Sequence, residues 1–284
     1  MKPLLIIPPC ARRWPALSDL YAHETSLRLT DVEKRFFASV QGGQDAFAVI
    51  PDGGRMLSGA LLSKRGETGV LSLLYTRPEH RKRGHAGKLV ATLLEWFTLT
   101  GGKRLYLTSP SNIAAVLFEK HTFKVLRQFA SVEGEQVTMI HTARGAPGNP
   151  YEQVEGEAAI RDVSRADWPL LVELLQHCSG PDPRISLDES AVAAETVVLD
   201  LVDQNERGVS HLQASMRNDR MVALASVATD RIGDRTHAMI MPHDARDTKL
   251  REAVIAFAAA KEYAHVDFPM EALSGEDGTV DERR

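Results

Sequence analysis

Leu71-Ser72-Leu73-Leu74-Tyr75-Thr76-Arg77-Pro78-Glu79-His80-Arg81-Lys82-Arg83-Gly84-His85-Ala86-Gly87-Lys88-Leu89-Val90 is the stretch on which the reading of this chain turns. Its apolar first part reads as a strand that stops at Pro78. After Gly84 the apolar residues Leu89, Val90, Leu93, Leu94, Trp96 and Phe97 fall at helical spacing until Gly101-Gly102. A strand that enters a helix through a basic, Gly-containing loop offers an anion free backbone N–H groups and the positive end of a helix dipole. Arg77, Arg81, Lys82, Arg83 and Lys88 stand there against the single acid Glu79. A diphosphate suits such a loop, because Gly84 and the small Ala86 let oxygens reach the main chain. The order is neither G-x-x-x-x-G-K-[ST] nor G-x-G-x-x-G. Taken alone, the loop also fits a plain exposed helix start with a turn glycine, so the ligand stays open at this point.

Upstream, the pattern predicts a short strand from Leu4 to Pro8, a helix through Trp14, Leu17, Leu20 and Tyr21, and a second helix from Thr30-Asp31 carrying Val32, Phe36, Phe37 and Val40. Ala46 to Ile50 and Arg55 to Lys64 read as a hairpin around Pro51-Asp52-Gly53-Gly54, followed by a strand from Val70 to Thr76. Downstream come a strand Arg104 to Thr108, a short helix Asn112 to His121, and a closing hairpin of Phe123 to Val132 with Gln136 to Thr142. The Gly- and Pro-rich Gly145-Ala146-Pro147-Gly148-Asn149-Pro150 marks a linker. Beyond it the same programme starts again: a strand at Ala158 to Val163, a helix at Asp167 to Leu175, and a hairpin around Asn218-Asp219. A strand His237 to Met241, a helix Leu250 to Tyr263 and a strand His265 to Phe268 follow. The expected organisation is a mixed α/β (α+β) chain of two domains, 1–145 and 158–270, joined by a linker 146–157 and ended by an acidic tail 271–284, with an internal duplication. Each half is long enough for its own core.

Among the 284 residues 43% are hydrophobic and 25% charged, which argues against disorder. A net charge of −4 argues against a general nucleic-acid binder. No apolar run approaches the ~18–20 residues that cross a bilayer, and Met1 to Pro9 is too short for a signal peptide's apolar core. No membrane association and a cytoplasmic location are the expectation. Cys10 and Cys178, one in each half, are too few and too far apart for a disulfide framework or a cysteine zinc site. His237 and His243 have no spaced carboxylate or thiol to complete a ligand set, so no metal is expected.

Two signatures together narrow the ligand. Arg81-x-x-Gly84-x-Ala86 resembles the R/Q-x-x-G-x-G/A loop of the GNAT superfamily of acetyl-coenzyme A-dependent N-acetyltransferases. Asn112-x-x-Ala115-x-Leu117-Phe118-Glu119-Lys120-x-Thr122-Phe123 is similar to its N-x-x-A-x-[LF]-Y-E-K-x-G-F signature. The resemblance covers residues 1 to 145 and, more weakly, 158 to 268. It implies two GNAT-like domains, each a splayed mixed sheet flanked by helices. It further implies acetyl-CoA with pantetheine along Leu74, Tyr75 and Thr76, diphosphate on Lys82, Arg83, Gly84, His85, Ala86 and Gly87 flanked by Arg81 and Lys88, and Asn112 and Phe118 beside the pantetheine arm. The implied reaction is direct attack of a small-molecule or peptide amine on the thioester, without an acyl-enzyme.

The sequence departs from that family in three places. Phe118 stands where relatives commonly carry a proton-donating tyrosine, and Thr122 where they carry glycine. The strand Leu71 to Tyr75 lacks the carboxylate that many relatives use to deprotonate the amine. Tyr75, Glu24 and Ser111 are the candidate catalytic substitutes, with His23, Glu119 and Ser109 beside them. His80 and His85 read as phosphate neighbours. In the second half the equivalent loop, Pro242 to Leu250, is shorter, has no glycine and carries Asp244 and Asp247, which would repel a diphosphate. That copy is expected to complete the fold, wall the acceptor site or make a homodimer contact. Two other readings stay open: a coenzyme A-binding regulatory protein without turnover, and an interaction module using the basic loop.

Overall fold

The computed structural model describes residues 1–37, 42–131, 134–147, 149–151, 154, 156–177, 194–229, 236–242, 248–261 and 266–267. Strand β1 (Leu4–Ile6) pairs antiparallel with β2 (Gln44–Asp52), β2 with β3 (Arg55–Arg65), and β3 with β4 (Thr68–Thr76). β4 runs parallel to β5 (Arg104–Pro110), and β5 pairs antiparallel with β7 (Gly134–Thr142), which pairs with β6 (Lys124–Ser131). The sheet order is therefore β1-β2-β3-β4-β5-β7-β6.

Period-2 alternation in β2 separates the two layers. Phe47 and Val49 face Leu17, Leu20, Val32 and Phe36 of α1 (Trp14–Leu20) and α2 (Ser26–Phe37), whereas Ala46, Ala48 and Ile50 face Leu89, Leu93 and Phe97 of α3 (His85–Leu99). With both faces covered, the strand reads as an unbroken apolar run. α3 approaches the sheet closely at Gly69, where a Cβ would stand 2.7 Å from Phe97 Cε2. A short helix, α4 (Ser111–Leu117), joins β5 to the final hairpin.

The second half builds β8 (Ala159–Asp162), α5 (Trp168–His177), α6 (Ala194–Glu206), β9 (Ser210–Arg217), β10 (Arg220–Thr229), β11 (Thr236–Pro242), α7 (Thr248–Ala260) and β12 (Val266–Asp267). Its sheet order is β12-β11-β10-β9-β8, antiparallel throughout except for the parallel pair β11–β12. β1 to β5 have the same neighbours and the same directions. Strand, two helices, three strands, helix, strand thus occurs twice along the chain.

Three features differ from the sequence reading. α2 starts at Ser26 rather than at Thr30-Asp31, because Thr25 Oγ1 accepts the Arg28 N–H at 3.3 Å as a cap does. Asp31 is instead a buried partner of Arg35 and Arg165. α6 was not anticipated, although Leu199 and Val202 are buried at helical spacing.

The halves also share a core. Every residue from Trp168 to Gln176 in α5 is buried, as expected of a helix apolar nearly all round. Val70, Tyr106 and Ile140 of the first sheet join Trp168, Leu171, Leu174, Leu212 and Leu224 in one cluster. The loop 243–247, Cys178 and the tail 271–284 lie outside the described residues.

Polar groups cross this junction in paired form, as burial requires. Glu173 accepts from Arg104 Nε (2.6 Å), Thr68 Oγ1 (3.1 Å) and the Tyr106 hydroxyl (3.1 Å). Burial first, and then Glu173, push the Tyr106 phenol well above its ordinary range. Asp167 meets Arg65 Nε of the first half at 3.3 Å, and within its own half it accepts two bonds from Arg161 (2.8 and 2.7 Å) and one from the Ser164 N–H (2.9 Å). Arg165 bridges Asp31 and Glu206. Glu206 is held down to about 2, chiefly by its hydrogen bonds from Arg165.

Candidate active site

β4 and β5 are paired only at Thr68↔Arg104, Gly69↔Leu105 and Val70↔Tyr106. Past Val70 they part. β5 continues on β7 as far as Pro110↔Gln136, and β4 continues on β3 as far as Thr76↔Ser58. A V opens between them, with an unpaired strand edge along each arm. A register shift in the β3–β4 ladder, with Leu73 at φ 54°, re-aims the end of β4. Ser72 to Thr76 become partly exposed there.

The chain leaves β4 through a tight turn at Pro78–His80 and reaches α3 through Arg81 to Gly84. Lys82 (φ 61°) and Gly84 (φ 73°) are both left-handed, which folds successive N–H groups toward one point as in an anion nest. No side chain caps α3. Its first N–H groups, from His85 to Gly87, have no carbonyl one turn earlier to bond. A Cβ built on Gly84 meets nothing within 4 Å, so that side of the loop is open space.

The cations of the loop divide into two groups. Arg77 is structural: its Nη2 lies 2.6 Å from Asp19 Oδ2, and its Nε donates to Met56 O at 2.9 Å. Arg81 donates to Thr76 O (3.1 Å), Arg83 to Glu79 O (3.2 Å) and Lys88 to Met1 O (3.4 Å), all single bonds to exposed carbonyls that leave charge at the loop surface.

His85 departs from the reading as a phosphate neighbour. It is 5% exposed, and neither ring nitrogen has a hydrogen-bond partner among the described residues. Burial, followed by Lys88, the N-terminal ammonium, Arg83 and His80, holds its pKa below the ordinary histidine value. What His85 can offer an anion is its backbone N–H. His121, which the sequence reading did not single out, lies nearby, its Nε2 3.6 Å from where a Gly87 Cβ would be.

The candidate catalytic groups fall on opposite arms. On the β4 arm the His23 ring lies on the Tyr75 ring, with centroids 3.9 Å apart, and His23 Nε2 is 3.6 Å from Glu24 Oε1. Tyr75 and Glu24 are thereby brought together through His23. Ser111, beyond the end of β5, donates to Glu135 Oε2 at 3.0 Å, and Glu135 also accepts from Gln128. Asn112 is exposed on α4. Phe118 is buried against Phe123, with ring centroids 5.7 Å apart. Among the described residues no group of three or more His, Cys, Asp or Glu could hold a metal ion. No described helix is long and apolar enough to cross a membrane.

Residues 14–123, less than half of the chain, match the model of the Acetyltransferase (GNAT) family. No curated protein matches the chain. Similar solved structures include an aminoglycoside 6'-N-acetyltransferase complexed with coenzyme A (15% identity, 52% of this chain and 99% of that chain, TM-score 0.41). The Escherichia coli ribosomal-protein-S18-alanine N-acetyltransferase matches at 16% identity over 52% of this chain and 99% of that chain, with a TM-score of 0.41. An aminoglycoside 6'-N-acetyltransferase from Enterococcus faecium gives the same figures: 16% identity, 52% and 99% coverage, and a TM-score of 0.41.

Proposed function

We propose that this chain, whose residues 14–123 match the Acetyltransferase (GNAT) family model, moves the acetyl group of acetyl-CoA to a small-molecule or peptide amine. The observation that carries this reading is the joining of an open V, whose β4 edge is unpaired, to an uncapped, cation-ringed start of α3. In the proposed arrangement Leu74, Tyr75 and Thr76 lend main-chain groups to pantetheine as an added strand would. The diphosphate lies on the N–H groups of Lys82 to Gly87, with Arg81, Arg83 and Lys88 adding charge. Asn112 contacts the pantetheine arm, and Phe118 backs it from the core.

His23 takes the acceptor's ammonium proton, and Glu24 balances the imidazolium that forms. The freed nitrogen attacks the acetyl carbon, the C–S bond breaks with its electron pair leaving on sulfur, and the nitrogen gives its second proton to solvent as the amide forms. The thiolate takes its proton from solvent, since Phe118 has none to give. General-base help of this kind contributes about 100- to 10,000-fold. The test is thiol release with a panel of amines across pH. His23→Ala is expected to lower kcat at least about 100-fold while acetyl-CoA affinity is kept. An unchanged kcat would remove His23 from the mechanism.

The second half, 158–270, is read as a degenerate GNAT-like copy, separated from 1–145 by the linker 146–157. The repeated strand order supports this. With no glycine in its loop and with Asp244 and Asp247 there, this copy holds no coenzyme A.

A further inference from the structure

At the closed end of the V, away from the proposed acetyl-CoA site, a cavity of about 420 Å³ lies between the two sheets. Glu67 from the β3–β4 turn, Thr68 and Arg104 from the starts of β4 and β5, Leu170 from α5, Asp219 from the β9–β10 turn and Arg220 from the start of β10 line it, and the linker closes one side. Its charged lining is balanced, two cations against two acids. Arg104 is 1% exposed. Its Nε binds Glu173 (2.6 Å) and its Nη2 binds Thr68 Oγ1 (3.4 Å). Its Nη1 has no hydrogen-bond partner among the described residues, and Glu67 Oε2 stands 3.9 Å away.

A buried guanidinium N–H left unbonded is costly unless an acceptor visits it. Glu67 has a side chain 42% exposed and is held on its other oxygen by Lys103 at 2.5 Å, which keeps its carboxylate at the cavity while leaving Arg104 Nη1 beyond hydrogen-bond distance. Arg220 donates to Pro150 O, which fixes its guanidinium at the cavity wall.

We propose that this cavity is a second ligand site and that it takes a small zwitterion of the α-amino acid kind. The carboxylate meets Arg104 Nη1 and Arg220, and the ammonium meets Glu67 and Asp219. A plain anion would bring nothing for the two acids and a plain cation nothing for the two guanidinium groups, whereas a molecule carrying one charge of each sign offers a partner to all four. The volume lies within the ordinary range for small-molecule sites, and junctions between folded units are where such sites are common. Arg104 is also tied through Glu173 to Tyr106, at the last β4–β5 pair before the V opens. The ligand therefore stands beside the closed end of the V without entering it.

The test uses the full chain. Melting is followed with each standard α-amino acid at millimolar concentration, and the one that raises the melting temperature most is titrated calorimetrically. Acetate and methylamine serve as half-ligands. Glu67→Gln and Asp219→Asn are made at exposed positions where folding tolerates them. An amino acid that binds, while neither half-ligand does, and that loses at least about tenfold in affinity in both variants with acetyl-CoA affinity unchanged, is the expected result. No stabilising amino acid, acetate binding as tightly as the amino acid, or affinity unaltered in the two variants would each overturn the proposal. The last outcome would assign the amino acid to the acceptor site in the V instead.

Discussion

Gly84→Ala separates the backbone's need for glycine from a ligand's need for open space. Gly84 has φ 73° and ψ 14°, and its added Cβ would meet nothing within 4 Å. Packing therefore adds nothing to the cost, and the left-handed conformation alone should destabilise the fold by about 1–2 kcal/mol. Gly53, in the β2–β3 turn, supplies the control. It has φ 52° and is equally open, so Gly53→Ala should cost a similar amount. The two differ in what approaches them. A methyl group at Gly84 stands where a phosphate oxygen must come close to the nest of N–H groups. Losing one or two charge-assisted hydrogen bonds at about 1.5–3 kcal/mol each weakens binding by between about tenfold and about 20,000-fold. Urea unfolding reads the stability and calorimetric titration reads the affinity. Equal stability losses with acetyl-CoA affinity reduced only in Gly84→Ala is the expected pattern. Equal affinity in both variants would refute the assignment of the loop.

Three further outcomes are expected. Glu173→Gln leaves the Arg104 guanidinium buried without its anion, so urea unfolding should show a loss of about 3–5 kcal/mol. A change below about 1 kcal/mol would mean that water already compensates Arg104. Glu206 has its pKa depressed from 4.5 to about 2 in the fold, so its contribution is complete above the unfolded value and fades as pH falls from about 5 toward 2. The full linkage would be about 3 kcal/mol, and screening at a side chain 34% exposed reduces it to about 1–2 kcal/mol. Glu206→Gln should flatten that part of the stability–pH curve, and an unaltered curve would exclude Glu206 as its source. The Tyr21 hydroxyl is buried with no hydrogen-bond partner among the described residues, and burial, then Glu24, raises its pKa. Tyr21→Phe should be neutral or stabilising in thermal melts, and a loss above about 1 kcal/mol would show that the hydroxyl is satisfied by bound water.

Much of the first half was legible because its signals are local. The change of period at Gly84 and the stop at Gly101-Gly102 mark the two ends of α3, and the turn at Asp52-Gly53-Gly54 marks the β2–β3 hairpin. The order of elements in the second half was legible too, since strand, helix and hairpin signals follow one another after residue 158 and the second sheet has the strand order of the first five strands. What escaped depends on tertiary contact. Asp31 looks like a helix start in sequence, and only the partners Arg35 and Arg165, the latter far along the chain, explain why it is buried inside α2. His85 belongs by sequence to an exposed basic loop, yet the first turn of α3 buries it. The expectation of a separate core in each half missed α5, whose apolar residues all round the helix were the available signal that it would be covered on every side. The cavity at Arg104 could not be read at all, because its lining comes from turns of both halves.

Calorimetric titration of the full chain with acetyl-CoA tests the central claim most directly. One site per chain, with affinity that falls as salt rises because exposed cations hold the diphosphate, is the expected result. Absence of binding, or two equivalent sites per chain, would contradict the assignment of a single working loop at Arg81 to Lys88.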